Sequence, residues 1–362
     1  MNMKISKFCF IILAALLFMA PAASAQTQFV GADNGNIRYM GRANFSNRFA
    51  PMMAYPGTTI TACFTGTSIA VQMKPGSGYF MVGVDNKNYR KIHFGERDSV
   101  IRIADGLPDG RHIIELMLAT EEYQEQAEFY GFLIDEGARL VDMGKDDRPL
   151  IEFIGDSMTC GYGTEAADGS VKYDPSNSNF FYTYAAITAR ELDWRYTVVA
   201  RSGIGACRNY DGNNDAGTMP QWYDYTLIYD DSQKWVTAGN EPDVLCIALG
   251  TNDFSTTGCD PELYRTSYEK FVRHLRGLYP RAKIVILSGC MLAGESLRQQ
   301  NAALDAIYDT MRDEGDKEIY RFDFTPQDGS LGYGADLHPS KAQHRKMANE
   351  LLPFLRRITG TK

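Results

Sequence analysis

At 362 residues the chain exceeds what one hydrophobic core ordinarily serves, so two domains are expected, and its 44% hydrophobic content is that of a soluble globular protein. The formal charge of −8, from 37 basic and 45 acidic side chains, comes without a basic run. That argues against nucleic acid and anionic membrane surfaces as partners.

The chain opens on the three parts of an export signal. Lys4 and Lys7 precede an apolar stretch from Phe8 to Met19, and Ala23-Ser24-Ala25 supplies the small residues of a cleavage site. The stretch is short for a membrane span, and no later segment is long and apolar enough to be one. Residues 1–25 are read as a signal peptide, with the mature chain exported to the periplasm or the medium after cleavage near Ala25-Gln26. Six cysteines remain: Cys63, Cys160, Cys207, Cys246, Cys259 and Cys290. They form no CxxC and no metal-binding pattern, so no metal or cofactor is implied. Cys63 and Cys246 lie in strand-like runs as small buried thiols. Cys259 and Cys290 each follow a strand end and are candidates to pair.

From about residue 27 to 147 short alternating runs rich in β-branched and aromatic residues succeed one another at roughly 8–12-residue spacing. Thr58–Phe64, Ser68–Met73, Tyr79–Val84, Val100–Ile103, His112–Leu118 and Glu128–Ile134 are such runs, separated by turns such as Tyr55-Pro56-Gly57 and Pro108-Asp109-Gly110. An all-β sandwich of jelly-roll type follows. His93 and His112 lie in its strands and read as packing or surface side chains.

At Asp146-Asp147-Arg148-Pro149 the pattern changes, and residues 148–362 alternate strands with amphipathic helices, the mark of an α/β domain with a parallel sheet. Strands are expected over Leu150–Ile154, Tyr196–Ala200, Val244–Leu249, Ile284–Ser288 and Ile319–Phe322. Helices are expected over Phe180–Leu192, Pro261–Leu278, Leu297–Asp313 and Ser340–Arg357, the second and fourth opened by Asp260-Pro261 and Pro339-Ser340.

Ligands of such a sheet gather at the carboxyl ends of its strands. There this chain places Gly155-Asp156-Ser157, then Ser202-Gly203-Ile204-Gly205, then Gly250-Thr251-Asn252-Asp253, and after the last strand Asp336-Leu337-His338-Pro339. A hydroxyl, glycine amides, a carboxamide and an imidazole are what nucleophilic acyl transfer requires: a nucleophile, oxyanion donors and a base. Each alone is an ordinary turn, loop or capping residue. Their joint placement in one domain is the signal.

These four blocks resemble those of the SGNH (GDSL-type) hydrolases. There is no G-x-S-x-G elbow around Ser157. The run Ile151–Thr164 and an N-terminal β-sandwich carrying Met40-Gly41-Arg42 and Phe64–Ser68 narrow the resemblance to carbohydrate esterase family two, over nearly all of the mature chain. It implies a three-layer SGNH domain behind the jelly roll. It also implies a serine esterase, without cofactor, that removes acetyl groups from plant cell-wall polysaccharides such as xylan and glucomannan. Carried over residue by residue, Ser157 is the nucleophile and His338 the base. The backbone N–H groups of Ser157 and Gly205, with the Asn252 side chain, form the oxyanion hole. Gly205 is preferred to Gly203 on the family's spacing from Val198-Val199.

The SGNH pattern D-x-x-H is not kept here. Asp336 stands two residues before His338 and position 335 is alanine. Either the Asp336 carboxylate reaches Nδ1 or a backbone carbonyl orients the ring. Between the second and third strands, Cys207–Asn240 is rich in aromatics, of which Tyr210 and Trp222 are the candidate sugar contacts against ordinary loop packing. Two other readings stay open: an O-acetyl esterase acting on another glycan (sialate, peptidoglycan) or on short esters, and a non-catalytic carbohydrate-binding protein. Oligomeric state is not legible.

Overall fold

The computed structural model describes residues 26–121, 126–212, 214–256 and 258–361, so the expected signal peptide lies outside the described residues. Period-two alternation builds the N-terminal half. Thr59–Gly66 and Gly110–Leu118 pair antiparallel and turn Ile60, Ala62, Phe64, Ile114, Leu116 and Leu118 to one side, where all are buried. This sheet runs Leu140–Val141, Thr59–Gly66, Gly110–Leu118, Gly78–Val84, Lys87–Phe94, with Ile37–Met40 on Thr59–Gly66. The facing sheet runs Ala43–Asn44, Met52–Met53, Ala127–Asp135, Ile69–Met73, Val100–Ala104, with Thr27–Gly31 on Ala127–Asp135. Phe64, Phe80, Phe129 and Phe132 fill the space between them. His112 is held by Asp85 and the Pro108 carbonyl (2.8 Å each), and His93 stacks on Tyr79.

In the C-terminal half, five parallel strands form one sheet: β1 (Leu150–Gly155), β2 (Arg195–Ala200), β3 (Val244–Ala248), β4 (Lys283–Ser288) and β5 (Ile319–Asp323), in the order β2-β1-β3-β4-β5. Strands this apolar must be covered on both faces. One face, with Phe153, Val198, Cys246 and Val285, meets helices α2 (Tyr184–Leu192) and α6 (Lys341–Thr359). The other, with Ile154, Leu245, Ile247 and Ile286, meets α4 (Pro261–Leu278) and α5 (Gly294–Asp313). Three further helices are single turns: Met219–Trp222 in the long segment after β2, and two at strand ends, α1 (Ser157–Cys160) after β1 and α3 (Thr251–Phe254) after β3. The strand order reverses direction between β1 and β3, the switch point at which such sheets bind ligands. The expected helix from Phe180 splits: Phe180–Tyr182 is a 3₁₀ turn, and Thr183 caps α2 by accepting from the Ala186 N–H (3.2 Å).

The halves are packed together. Met81 and Met117, on the outer face of the first sheet, join the core that contains Phe180 and Tyr196. Arg42 has no exposed surface and reaches across to donate to the Tyr223 and Tyr225 carbonyls. Its guanidinium lies 3.6 Å from the buried Glu152 carboxylate on β1 and faces the rings of Tyr223 and Trp235. Cys259 and Cys290, candidates to pair from their places in the sequence, do not pair. Cys290 is buried against the sulfurs of Met158 and Met347, whereas the Cys259 thiol donates to the Asp260 carbonyl (3.6 Å) and lies beside that of Cys207. All six thiols are free.

Candidate active site

Strand β1 ends at Gly155, where a Cβ would meet Thr159 Oγ1 at 2.1 Å, so only glycine lets the chain turn this sharply into α1. Asp156 caps that turn, its Oδ1 accepting from the Met158 N–H (3.0 Å). Burial, with Asp253 nearby, pushes its carboxyl up to about 7. Ser157 is then the first helical residue, and its own N–H has no intrahelical acceptor. Its Oγ lies 2.9 Å from Nε2 of His338.

The other nitrogen of that ring decides the chemistry. His338 Nδ1 stands 3.2 Å from the carbonyl of Ala335. A carbonyl only accepts, so Nδ1 carries the proton in the neutral ring and Nε2 presents its lone pair to the serine hydroxyl. The Ala335 carbonyl is itself held in place, because the Ala335 N–H donates to the Gly163 carbonyl (3.0 Å). The two backbones approach so closely that a Cβ on Gly163 would lie 2.3 Å from that of Ala335. Burial pulls the His338 pKa down to about 4, which leaves the ring neutral at ordinary pH, the form that can accept a proton.

The Asp336 carboxylate makes no hydrogen bond to His338. The residue sits in the left-handed region (φ 49°, ψ 38°), as does Leu337, and this backbone turns the carboxylate away. It accepts instead from Lys172 Nζ (2.8 Å), the Tyr162 hydroxyl (2.9 Å) and the Tyr173 N–H (3.0 Å). The Lys172 ammonium holds it below the usual carboxylate range. Besides the pull of its charge, the carboxylate is linked to the base through Tyr162. The Tyr162 ring stacks on His338 with centroids 4.0 Å apart, and Tyr173 stacks on the far side of Tyr162 at 4.3 Å. The expectation of an Asp336–His338 contact is corrected to a Ser157–His338 pair oriented by a backbone carbonyl.

The third strand end supplies Asn252, a buried residue of α3 that lines the same cleft, whose Nδ2 donates to the Ile204 carbonyl (2.8 Å) and has a second N–H to give. Its neighbour Asp253 gathers the loop after β2 by accepting from the N–H groups of Ala206 (3.0 Å), Cys207 (2.7 Å) and Arg208 (2.9 Å). Gly205 is folded into this turn. Its N–H donates to Asn209 Oδ1 (3.1 Å), and a Cβ there would meet the Arg208 carbonyl at 1.9 Å. The expectation that Gly205 offers an oxyanion donor is therefore not met in this structure. Gly203, at φ +80°, lines the cleft in its place.

The cleft is a cavity of about 750 Å³ over Ser157, Asn252 and His338, walled by Tyr210, Met291 and Tyr333. A larger recess of about 930 Å³ lies at the amino ends of the strands, around Pro149, Pro242 and Lys283, and holds no nucleophile–base pair.

Residues 39–143 match the family described as "Carbohydrate esterase 2 N-terminal", and residues 151–351 match "GDSL-like Lipase/Acylhydrolase". The chain is 36% identical over 329 residues to the cellulase/esterase CelE of Acetivibrio thermocellus, spanning 91% of this chain but only 40% of that protein. It is 27% identical to an acetylxylan esterase / glucomannan deacetylase of Cellvibrio japonicus, over 92% of each. A solved family two carbohydrate esterase from Clostridium thermocellum, in complex with cellohexaose, superposes with a TM-score of 0.86 at 35% identity, covering 90% of this chain and all of that one. A family two carbohydrate esterase from Cellvibrio japonicus superposes at 0.84 with 26% identity, over 93% of this chain and 99% of that one.

The chain belongs to carbohydrate esterase family two. It is a serine-dependent carboxylic ester hydrolase of the GDSL type. Within this esterase Tyr210 stands at the cleft, more than half exposed. Trp222 does not line it: its indole donates to the Ala216 carbonyl and its ring packs on Tyr225 and Tyr229. Tyr223 and Trp235 surround Arg42, so much of the aromatic segment is architectural. Sequence reasoning allowed for a backbone carbonyl behind His338 without saying which, and it missed Tyr162, the anchoring role of Asp253 and the place of Gly203 at the cleft. Tyr162 left one signal, an aromatic placed between two glycines just after the nucleophile.

Proposed function

We propose that this esterase removes O-acetyl groups from plant cell-wall polysaccharides, xylan and glucomannan among them, through an acetyl-serine intermediate, and that it does so after export. The observation that carries the mechanism is the 2.9 Å approach of Ser157 Oγ to a His338 whose other nitrogen is committed to a carbonyl. Ser157 attacks the acetyl carbonyl while His338 Nε2 takes the hydroxyl proton. The developing oxyanion is met by the Ser157 N–H, the Asn252 side chain and the Gly203 N–H. Collapse expels the sugar oxygen, which takes the proton back from His338, and water then cleaves the acetyl-serine with His338 again as base. Losing one oxyanion donor costs roughly 3–4 kcal/mol of barrier, a rate factor on the order of 10²–10³. Tyr210 at the rim offers a face for a sugar ring.

The choice of glycan rests on the relatives named for acetylxylan and glucomannan deacetylation. The test is acetate release from a panel of acetylated xylan, glucomannan, sialate and peptidoglycan by the parent, Ser157→Ala and His338→Ala. The parent should release acetate from the plant polysaccharides, and both variants should fall by about 10³-fold or more. Equal turnover by Ser157→Ala would sink the mechanism. Preference for sialate or peptidoglycan would sink the substrate assignment, and glycan binding with no ester turnover would favour the non-catalytic reading.

A further inference from the structure

Glu121 belongs to the sandwich half of the chain, in the segment between the strands Gly110–Leu118 and Ala127–Asp135. One of its carboxylate oxygens, Oε2, accepts two hydrogen bonds from the other domain. The first comes from the backbone N–H of Ser202 (2.8 Å), immediately before Gly203 at the cleft wall. The second comes from the thiol of Cys160 (3.6 Å), the last residue of α1, one turn from Ser157 on the same helix. Cys160 is buried, and burial pushes its pKa up, so the thiol keeps the proton it donates. A single oxygen from the β-sandwich thus ties the helix that carries the nucleophile to the loop that carries the glycine donor. The segment that presents Glu121 is itself docked, since the Ala119 carbonyl two residues earlier accepts from the Phe180 N–H (2.8 Å).

We infer that Glu121 is a positioning residue for the esterase reaction: it sets the distance and angle between Ser157 and the Gly203 amide, and so makes the β-sandwich part of the oxyanion hole. The inference rests on the acyl-transfer reading given above. An oxyanion donor acts only if it already points where the charge will develop, so a slack loop loses transition-state stabilisation without losing ground-state binding. The carboxylate touches neither the serine hydroxyl nor the base. Its work is done through the Ser202 amide and the Cys160 thiol.

The test uses the full chain and an aryl acetate, whose turnover is independent of glycan contacts, with kcat and KM measured separately. Glu121→Ala removes the acceptor, Glu121→Asp withdraws it by one methylene while keeping the charge, and Glu121→Gln keeps an oxygen in place without the charge. Glu121→Ala and Glu121→Asp should lose about 10- to 100-fold in kcat, short of the loss from deleting a donor outright. KM should stay within about twofold, and Glu121→Gln should stay within about threefold of the parent. Affinity for an arylboronic acid, a mimic of the tetrahedral intermediate, should fall in step with kcat. If Glu121→Ala does not fold, the contrast between Asp and Gln carries the test. A kcat unchanged in the Asp and Ala variants, or a Gln variant as impaired as Ala, overturns the inference. Loss confined to KM overturns it as well. Ser157→Ala is run alongside: if the parent's turnover does not depend on Ser157, the acyl-transfer reading fails, whereas a flat Glu121 series on a Ser157-dependent parent sinks the positioning role alone.

Discussion

His338 works from an unusual starting point for a general base. Burial favours the neutral imidazole and takes its pKa from the ordinary 6.5 to about 4. A base must be neutral to accept the serine proton, so activity rises with pH through the value in the free enzyme and is flat above it. The acid limb of kcat/KM should therefore have its midpoint well below 6.5, with a plateau from about pH 6 upward. A pH profile on an aryl acetate checks this, and a midpoint at or above the ordinary histidine value would contradict it. Asp156→Asn, which keeps a capping oxygen, should leave the limb where it is, separating His338 from the raised Asp156 carboxyl. The same geometry sets expectations for Asp336. Because the Ala335 carbonyl holds the Nδ1 proton, Asp336→Ala frees Lys172 and the Tyr173 N–H and reaches the base mainly through the Tyr162 ring that stacks on the imidazole. A ring–ring contact is worth about 0.5–1.5 kcal/mol, so kcat should drop about 2- to 10-fold. A drop of about 10⁴, the mark of a lost tautomer, would return the carboxylate to the base.

At the scale of elements, the site is four loops held at one end of a sheet, and Asp253 is the hub of two of them. From the single turn α3 it collects three successive amides of the loop after β2, while its neighbour Asn252 reaches the Ile204 carbonyl of the same loop. Asp253→Ala leaves these donors facing a void. A buried donor without an acceptor costs about 1–3 kcal/mol, and partial relaxation puts the loss in folding stability at about 2–4 kcal/mol. Urea denaturation measures it. A change below about 0.5 kcal/mol would mean the loop is held by other contacts, such as the bonds from Arg208 to the Asn252, Asp253 and Ser255 carbonyls. This element was half legible in the sequence. Gly-Thr-Asn-Asp after a strand marked Asn252 as a donor, because a carboxamide at a strand end has an obvious use. Asp253 had no such signature, since its partners are amides from a loop some 45 residues earlier. The choice between Gly203 and Gly205 was illegible for the same reason: it depends on which amide Asn209 and Asp253 have already drawn inward.

Across the whole molecule, the two halves share one structural fate through Arg42. The side chain comes from the sandwich, while its partners Glu152, Tyr223 and Tyr225 belong to the other half, and Glu152 lies on the strand that ends at the nucleophile. Glu152 is further held by the Thr197 and Tyr223 hydroxyls. Removing one member of a buried ion pair leaves the other charge uncompensated, typically at about 3–5 kcal/mol. Arg42→Ala should cost that much, and chemical unfolding of the parent should be a single transition that includes both sheets. Two separable transitions in the parent, or a loss below about 1 kcal/mol in the variant, would show that the junction is a contact and not a weld. The sandwich then stands as a wall of the enzyme, in keeping with Glu121.

What the sequence determined by itself is the set of features that are periodic or local. Alternation named the sandwich strands, apolar runs between amphipathic helices named the parallel sheet, and the residues just past strand ends placed Ser157, Asn252 and His338 in one cleft. Those signals survive without a structure because they depend on neighbours within a few positions. Only the tertiary structure decided what depends on backbone direction or on distant partners. The sign of φ at Asp336 turned a carboxylate off the base and left a carbonyl in its place. Packing on Tyr225 and Tyr229 drew Trp222 away from the cleft. Contact across the fold brought the free Cys259 thiol beside that of Cys207 and buried Cys290 elsewhere. In each case the residue type was compatible with both outcomes, and chain geometry made the choice.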